Sequence, residues 1–241
     1  VYGTEREEAQ QVQVIVNPNP SFTATNNAPS ICSGTATNIA FASLTAGHRI
    51  NVVSATYGSV TGATITPGVT TFVNGNSLTE TLTNNTTNPI DVVYVFNVTT
   101  PSTTPACPLA PVNQSITVRV LPAPAFTYTN GAAQICSASQ SNITLNTAVA
   151  GAQVRLKAVN YGAVAGTLAP GVLYSNGQQI TEVLVNNTTS PVTVVYTFEA
   201  VVASCTPGAP QTVNVIVNPN PTFTATNNAS NICSNSPTNI T

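Results

Sequence analysis

The chain has 241 residues, of which only 5% are charged, leaving a formal net charge of −2. An ordinary soluble domain carries about 25% charged residues; with five Lys and Arg in total there is no clustered basic surface for a phosphate backbone, which argues against nucleic acid as a partner. Apolar residues make up 42% and fall in Val, Ile, Leu and Thr runs, so the low charge does not signal disorder.

The chain opens with the acidic run Glu5-Arg-Glu-Glu8, a solvated stretch, and then Gln11-Val-Gln-Val-Ile-Val-Asn17-Pro-Asn-Pro20. That segment returns as Gln211 to Pro221, and the residues after it, Phe22-Thr-Ala-Thr-Asn-Asn-Ala28 with Ile31-Cys32-Ser33, return as Phe223 to Ala229 with Ile232-Cys233-Ser234. A degenerate middle copy runs from Val120 through Phe126 to Ile135-Cys136-Ser137. A period of roughly 100 residues is domain-sized, not the short period of a solenoid. Residues 1–20 therefore read as the closing strand of a preceding repeat, 21–124 and 125–221 as complete repeats, and 222–241 as the opening strands of a further one. The expected origin is a longer array, with trans pairing of the terminal strands between subunits as the rival account. No span is apolar enough to cross a bilayer and no secretion signal is recognisable.

Within the first complete repeat, Ser21–Thr25, Asn38–Ala42 and Arg49–Thr56 are β-branched or aromatic runs bounded by Asn, Pro, Ser and Gly, and all predict strands. Ser77–Thr83 alternates strictly, with Glu80 on the same parity as Leu78 and Leu82. Asp91–Val98 and Ser115–Val120 supply the last strands. The second repeat follows suit with Ile143–Leu145, Gln153–Val159, Gln179–Leu184, Val192–Phe198 and Gln211–Val217. No helical period appears, so the fold class is all-β: tandem immunoglobulin-like sandwiches joined end to end by short Pro-rich linkers at Asn17–Pro20, Pro122–Pro124 and Asn218–Pro221. Gly/Thr/Ala loops after Tyr57-Gly58 and Tyr161-Gly162 are the expected exposed loops. Arg155 and Lys157 alternate on one strand and read as a solvated strand edge.

Cys32 and Cys136 share one repeat position, and each is followed by one late cysteine, Cys107 or Cys205. The spacing is too wide for a metal knuckle. Two disulfides, one in each repeat, are expected, each contributing about 4 kcal/mol in the chain-entropy model and implying an oxidising, extracellular location. Cys233 has no partner within these residues and is read as unpaired by truncation.

Catalysis finds little support. The candidate carboxylates are Glu80 and Asp91 in one repeat, Glu182 and Glu199 in the other. Glu80 and Glu182 are equivalent, and one carboxylate duplicated in each bead suits a structural task such as accepting backbone N–H bonds. His48 has no counterpart, so no nucleophile and base arrangement repeats, and it is expected at an exposed strand start. No calcium-type ligand run occurs, and neither a cofactor nor a metal is expected. Asn-x-Ser/Thr sequons stand at Asn84, Asn85, Asn97, Asn113, Asn142, Asn186, Asn187, Asn228 and Asn239. Of these, Asn84 and Asn186 open an Asn-Asn-Thr-Thr motif that a hairpin turn explains.

The order Pro-x-Phe-Thr, Ile-Cys-Ser, Leu78-Thr-Glu-Thr-Leu-Thr-Asn84 or Ile180-Thr-Glu-Val-Leu-Val-Asn186, Val-Val-Tyr-x-Phe, late cysteine and Val-x-Val-Asn-Pro resembles the PKD-like repeats of large Bacteroidota surface proteins, over essentially the whole chain. The similarity extends to gliding-motility adhesins exported by the type IX secretion system, and it implies disulfide-bonded stalks displayed outside the cell. Members often carry Ser-Trp-x-Val where this chain has Val53-Ser-Ala55 and Lys157-Ala158-Val159. The expected function is a non-catalytic stalk of an adhesin or surface filament whose partners are neighbouring repeats. The alternatives are a filament subunit assembled by strand exchange, a module binding surface glycans through Tyr57 and Tyr161 beside the loops, and an accessory region of a secreted hydrolase.

Overall fold

The computed structural model describes residues 11–14, 16, 20–43, 48–99, 113–203 and 205–241. The chain forms two compact units, Val1–Ala123 and Pro124–Thr241. In the first unit the strands are β1 (Thr23–Asn26), β2 (Ser30–Cys32), β3 (Thr35–Ala36), β4 (Ile39–Ala42), β5 (Arg49–Thr56), β6 (Thr71–Phe72), β7 (Ser77–Leu78), β8 (Thr81–Leu82), β9 (Ile90–Thr99) and β10 (Gln114–Leu121). The second unit has β11 (Thr127–Asn130), β12 (Gln134–Cys136), β13 (Ser139–Gln140), β14 (Ile143–Asn146), β15 (Ala152–Asn160), β16 (Val164–Ala165), β17 (Leu173–Tyr174), β18 (Gln179–Ile180), β19 (Val183–Asn186), β20 (Val192–Val202) and β21 (Gln211–Asn218). Among the described residues there is no helix, and so none long and apolar enough to cross a membrane.

Each unit is a β-sandwich. A five-stranded sheet, β2-β10-β9-β5-β6 or β12-β21-β20-β15-β17, faces a three-stranded one, β1-β4-β7 or β11-β14-β18. All these pairings are antiparallel except those of β2 with β10 and β12 with β21, which are parallel. Alternation sets the core: on β9, Val92, Tyr94, Phe96 and Val98 point inward, and on β20 Val194, Tyr196, Phe198, Ala200 and Val202 do the same. Opposite them lie Ile39, Phe41 and Leu78 in one unit and Ile143, Leu145 and Ile180 in the other. Each large side chain so buried contributes about 1.5–3 kcal/mol. Tyr94 stacks along Phe96, centroids 6.1 Å apart, and Tyr196 along Phe198 at 6.1 Å.

The expected single strands Ser77–Thr83 and Gln179–Leu184 are each broken in two. β7 pairs with β4, whereas β8 pairs with β3; likewise β18 pairs with β14 and β19 with β13 and β16. The chain changes sheet at Glu80 and at Glu182, and the parity argument holds at the break: the two are 1% and 6% exposed. A second shared irregularity is a bulge between Val52 and Ser54 on β5 and between Leu156 and Ala158 on β15, an extra residue that bends the strand.

Three expectations are corrected. β15 is not an edge, because it lies between β20 and β17, and Arg155 pairs across to Glu199. His48 is buried, 6% exposed, at the position of Ala152 in the second unit. Cys136 does not bond Cys205: its thiol is free and exposed, while Cys32 and Cys205 are both disulfide-bonded. Cys107 lies outside the described residues. The Cys233 thiol is free and exposed.

In residues 222–241 the hairpin of the opening strands recurs in reduced form. Asn227 bridges Ile240, and Thr226 and Thr241 exchange N–H···O bonds of 2.8 and 3.1 Å. Its apolar positions are open to solvent, Phe223 at 90% exposure against 6% for the equivalent Phe126.

Candidate functional site

Of the residues that the sequence marks for chemistry, Glu80 and Tyr57 meet in the first unit and Glu182 and Tyr161 in the second, each time at the glutamate where the chain changes sheet. In the first unit one carboxylate oxygen of Glu80 accepts the Tyr94 hydroxyl at 2.6 Å and the Tyr57 hydroxyl at 2.8 Å. The other accepts the backbone N–H groups of Thr64 and Ile65, the latter at 2.8 Å, and the Thr64 hydroxyl at 3.1 Å. Glu182 has the equivalent partners, with one oxygen accepting the Tyr196 hydroxyl at 2.7 Å and the other accepting the Tyr161 hydroxyl at 2.6 Å, the N–H of Leu168 at 2.9 Å and the N–H of Thr167. Both carboxylates thus hold the loop that follows the tyrosine, and the core tyrosine behind it.

Burial alone would raise the pKa of Glu80, but the donors Tyr94, Thr64 N–H, Tyr57 and Ile65 N–H together outweigh it and hold the carboxyl below its ordinary value. For Glu182 the same opposition between burial and the donors Tyr161, Tyr196, Thr167 and Leu168 also ends in a lowered pKa. Burial first, and then the neighbouring carboxylate, push the hydroxyls of Tyr57, Tyr94, Tyr161 and Tyr196 upward. An ionised carboxylate saturated by four or more donors is a poor proton acceptor, and a general base needs an open lone pair within reach of substrate. The clamp is built to hold, not to react.

Tyr57 and Tyr161, expected as ligand-stacking residues, have their hydroxyls turned into the clamp. Their rings meet Tyr94 and Tyr196 edge-on, centroids 5.8 and 6.4 Å apart. The loops beyond them pass close to the body of the sandwich. A Cβ on Gly62, whose φ is +94°, would lie 2.1 Å from the Thr81 carbonyl oxygen, and one on Gly166 would lie 2.0 Å from the Tyr161 ring.

Each unit also buries one asparagine. Asn84 and Asn186 are buried, at 0% and 3% exposure. The Asn84 amide donates to the carbonyls of Asn88 and Val120 at 2.8 and 2.9 Å, and its oxygen accepts the Thr86 N–H at 2.9 Å. Asn186 does the same with Ser190, Val217 and Thr188. The turn reading of Asn-Asn-Thr-Thr is what the structure has, and these two sequon nitrogens are fully engaged. Asn85 and Asn187, next in sequence, are exposed.

On the outer face of the second unit, Glu199 is nearly sealed from water because Arg155 and Lys157 lie over it. Arg155 donates through Nε at 2.9 Å and through a second guanidinium nitrogen, and Lys157 approaches at 3.2 Å. The Arg155 bonds, aided by Lys157, hold the Glu199 carboxyl below the usual range. In the first unit the cross-strand pair is Asn51 and Asn97, joined at 3.1 Å. Beside Arg155 an open groove of about 660 Å³ is lined by Gln153, Leu173, Val201 and Pro207, without a carboxylate or an aromatic ring. Asp91 is exposed and paired across to Arg119 in register only. Among the described residues no three His, Cys, Asp or Glu side chains gather into a metal-holding group.

The clamp tyrosines Tyr94 and Tyr196 were not singled out from the sequence. Their signal was present: Val-Val-Tyr-x-Phe recurs in both repeats, and the inward parity of the tyrosine demands a partner for its hydroxyl.

A family model described as a PKD-like domain matches residues 133–221. No curated protein matches. Among solved structures, a protein of unknown function from Porphyromonas gingivalis W83 is 12% identical with a TM-score of 0.30, covering 82% of this chain and 99% of that one. The human desmocollin-1 ectodomain is 10% identical with a TM-score of 0.38, over 86% of this chain and 44% of that one. Fibronectin(III)-like modules of CbhA from Clostridium thermocellum are 10% identical with a TM-score of 0.31, over 83% and 95%. The family match falls within the second unit, and the first unit repeats that unit's strand order, its carboxylate clamp and its buried asparagine turn.

Proposed function

We propose that the chain is a non-catalytic stretch of an extracellular stalk, in which residues 21–124 and 125–221 are successive beads of a surface adhesin or filament of the gliding-motility, type IX-exported kind. The observation that carries this reading is the clamp. The same glutamate, bonded by the same two tyrosines and the same loop amides, stands in both units, so the repeated polar chemistry serves shape. The disulfide-bonded Cys32 and Cys205 support an oxidising location, and the match to a PKD-like domain supports a structural role.

Electron micrographs of the native particle, with antibody raised to these residues, test the reading. Labelled, extended arrays at the cell surface are the expected result, whereas isolated two-bead particles, or labelling confined to the cell interior, would overturn it. A glycan-array signal lost in Arg155→Ala would move the function to carbohydrate binding through the groove beside that residue.

A further inference from the structure

The two clamps differ in how their second carboxylate oxygen is loaded. Glu80 Oε2 accepts both tyrosine hydroxyls, Tyr57 at 2.8 Å and Tyr94 at 2.6 Å. In the second unit the Tyr161 hydroxyl goes instead to Oε1, where it joins the N–H groups of Thr167 and Leu168. Glu182 Oε2 keeps Tyr196 alone, at 2.7 Å. A carboxylate oxygen offers about two acceptor positions, so one side of Glu182 Oε2 is open to a further donor.

A buried donor stands in the same core. The Tyr174 side chain is 5% exposed, and its hydroxyl, sealed from solvent, meets no hydrogen-bond partner among the described residues. Tyr174 on β17 takes the place of Phe72 on β6, each lying across from an inward residue of the neighbouring long strand, Val154 or Ile50. The packing around the two rings is not the same. Phe72 stacks on Phe41, centroids 4.6 Å apart, whereas Leu145 stands at the place of Phe41, and Tyr174 meets Phe198 edge-on at 6.2 Å. Val154 and Ala200, paired across β15 and β20, replace the larger Ile50 and Val98; Leu156, for Val52, goes the other way. The second core thus sets smaller side chains around a ring that carries an extra polar atom. Burial, and then the Glu182 carboxylate, push the pKa of the Tyr174 hydroxyl upward, so it stays a neutral donor within reach of that carboxylate's field.

Buried polar groups are paired, with protein or with ordered water, and a buried water needs room and at least two polar partners. We propose that the second sandwich has a built-in hydration site, a short water bridge from the Tyr174 hydroxyl to the open side of Glu182 Oε2, and that the first sandwich has none. The water accepts a hydrogen bond from the hydroxyl, and the bridge donates one to Oε2. It supplies to Glu182 the second donor that Tyr57 gives to Glu80 Oε2. Water-mediated bonds of this kind are nearly as favourable as direct ones, so the two clamps reach the same loading by different routes.

A crystal structure of the 241-residue chain and urea unfolding of Tyr174→Phe test the proposal independently of the stalk reading. Ordered water joining Tyr174 Oη to Glu182 Oε2, with no counterpart beside Phe72, is the expected result in the crystal. Tyr174→Phe should lower the urea midpoint of the second unit, because it removes a bonded donor and leaves the water and Oε2 short of a partner. A dry Tyr174 hydroxyl, or one bonded directly to Glu182, would overturn the proposal. So would a midpoint unchanged or raised in Tyr174→Phe, the outcome for a hydroxyl that was buried without a partner.

Discussion

The two sandwiches agree at the carboxylate inside the sandwich and differ at the cross-strand pair on the outer face. Inside, Glu80 and Glu182 keep the same tyrosines and the same pair of loop amides. Outside, at one cross-strand position, the first unit has Asn51 with Asn97 and the second has Arg155 with Glu199, joined by Lys157. The difference follows from the cost of failure. Removing the clamp carboxylate strands two phenols and two backbone donors away from water, at about 1–3 kcal/mol for each unsatisfied group. On the outer face Glu199 is covered, but its partners Arg155 and Lys157 are 40% and 49% exposed, so water and salt screen the pair, and exchanging both partners together leaves no unpaired buried charge, which brings the neutral and charged versions close in free energy.

The largest expected effect breaks the constant half of that comparison. Glu182→Ala should lower the unfolding free energy by about 3–5 kcal/mol, read as a reduced urea midpoint at unchanged slope, with Glu80→Ala equivalent in the first unit. A loss below about 1 kcal/mol would mean that the loop relaxes to satisfy its own donors. Next, Asn186→Ala should cost about 2–3 kcal/mol, since it frees the carbonyls of Ser190 and Val217 together with the Thr188 N–H. Asn187→Ala, one residue on and exposed, should change little.

Acid sharpens the comparison further. Both clamp carboxyls are held below their ordinary pKa in the folded chain, so the unfolded chain binds protons first as the pH falls. Their stabilisation is therefore complete above the unfolded value of about 4.3 and is lost progressively as the pH drops through the folded values. A urea series between pH 7 and pH 2 should show this loss in the parent chain, and a flatter profile in Glu182→Gln. The smallest effect belongs to the variable half. Arg155→Asn with Glu199→Asn should cost no more than about 0.5–1 kcal/mol, and the difference should shrink as salt is raised.

Much of this was legible in the residues. Period-two alternation marked β9, β20 and the other long strands, and the parity of Leu78, Glu80 and Leu82 foretold an inward carboxylate. The change of sheet at that glutamate was not visible, because a strand that switches partners keeps the same alternation as one that runs straight. The short strands β2 and β12, which carry the Ile-Cys-Ser motif, are set by pairing with the last strand, a contact remote in sequence. For the same reason the sequence pairs Cys136 with Cys205, although the Cys136 thiol is free in the folded chain: repeat position says which residues correspond, not which of them meet. Arg155 and Lys157 were read as edge charges because nothing local reveals that β17 flanks β15.

The parallel pairing of β12 with β21, Ile135 opposite Val217, has a mechanical meaning. Tension applied between the two ends of a sandwich pulls its opening strands toward one pole and its closing strand toward the other. Because β12 and β21 run in the same direction, that load acts along them, across the hydrogen bonds that join them. The bonds must then yield together in shear, not one after another as in a hairpin peeled from its end. With the buried Asn186 amide also fastened to the Val217 carbonyl, a load applied at the two ends of this sandwich meets its resistance at the closing strand.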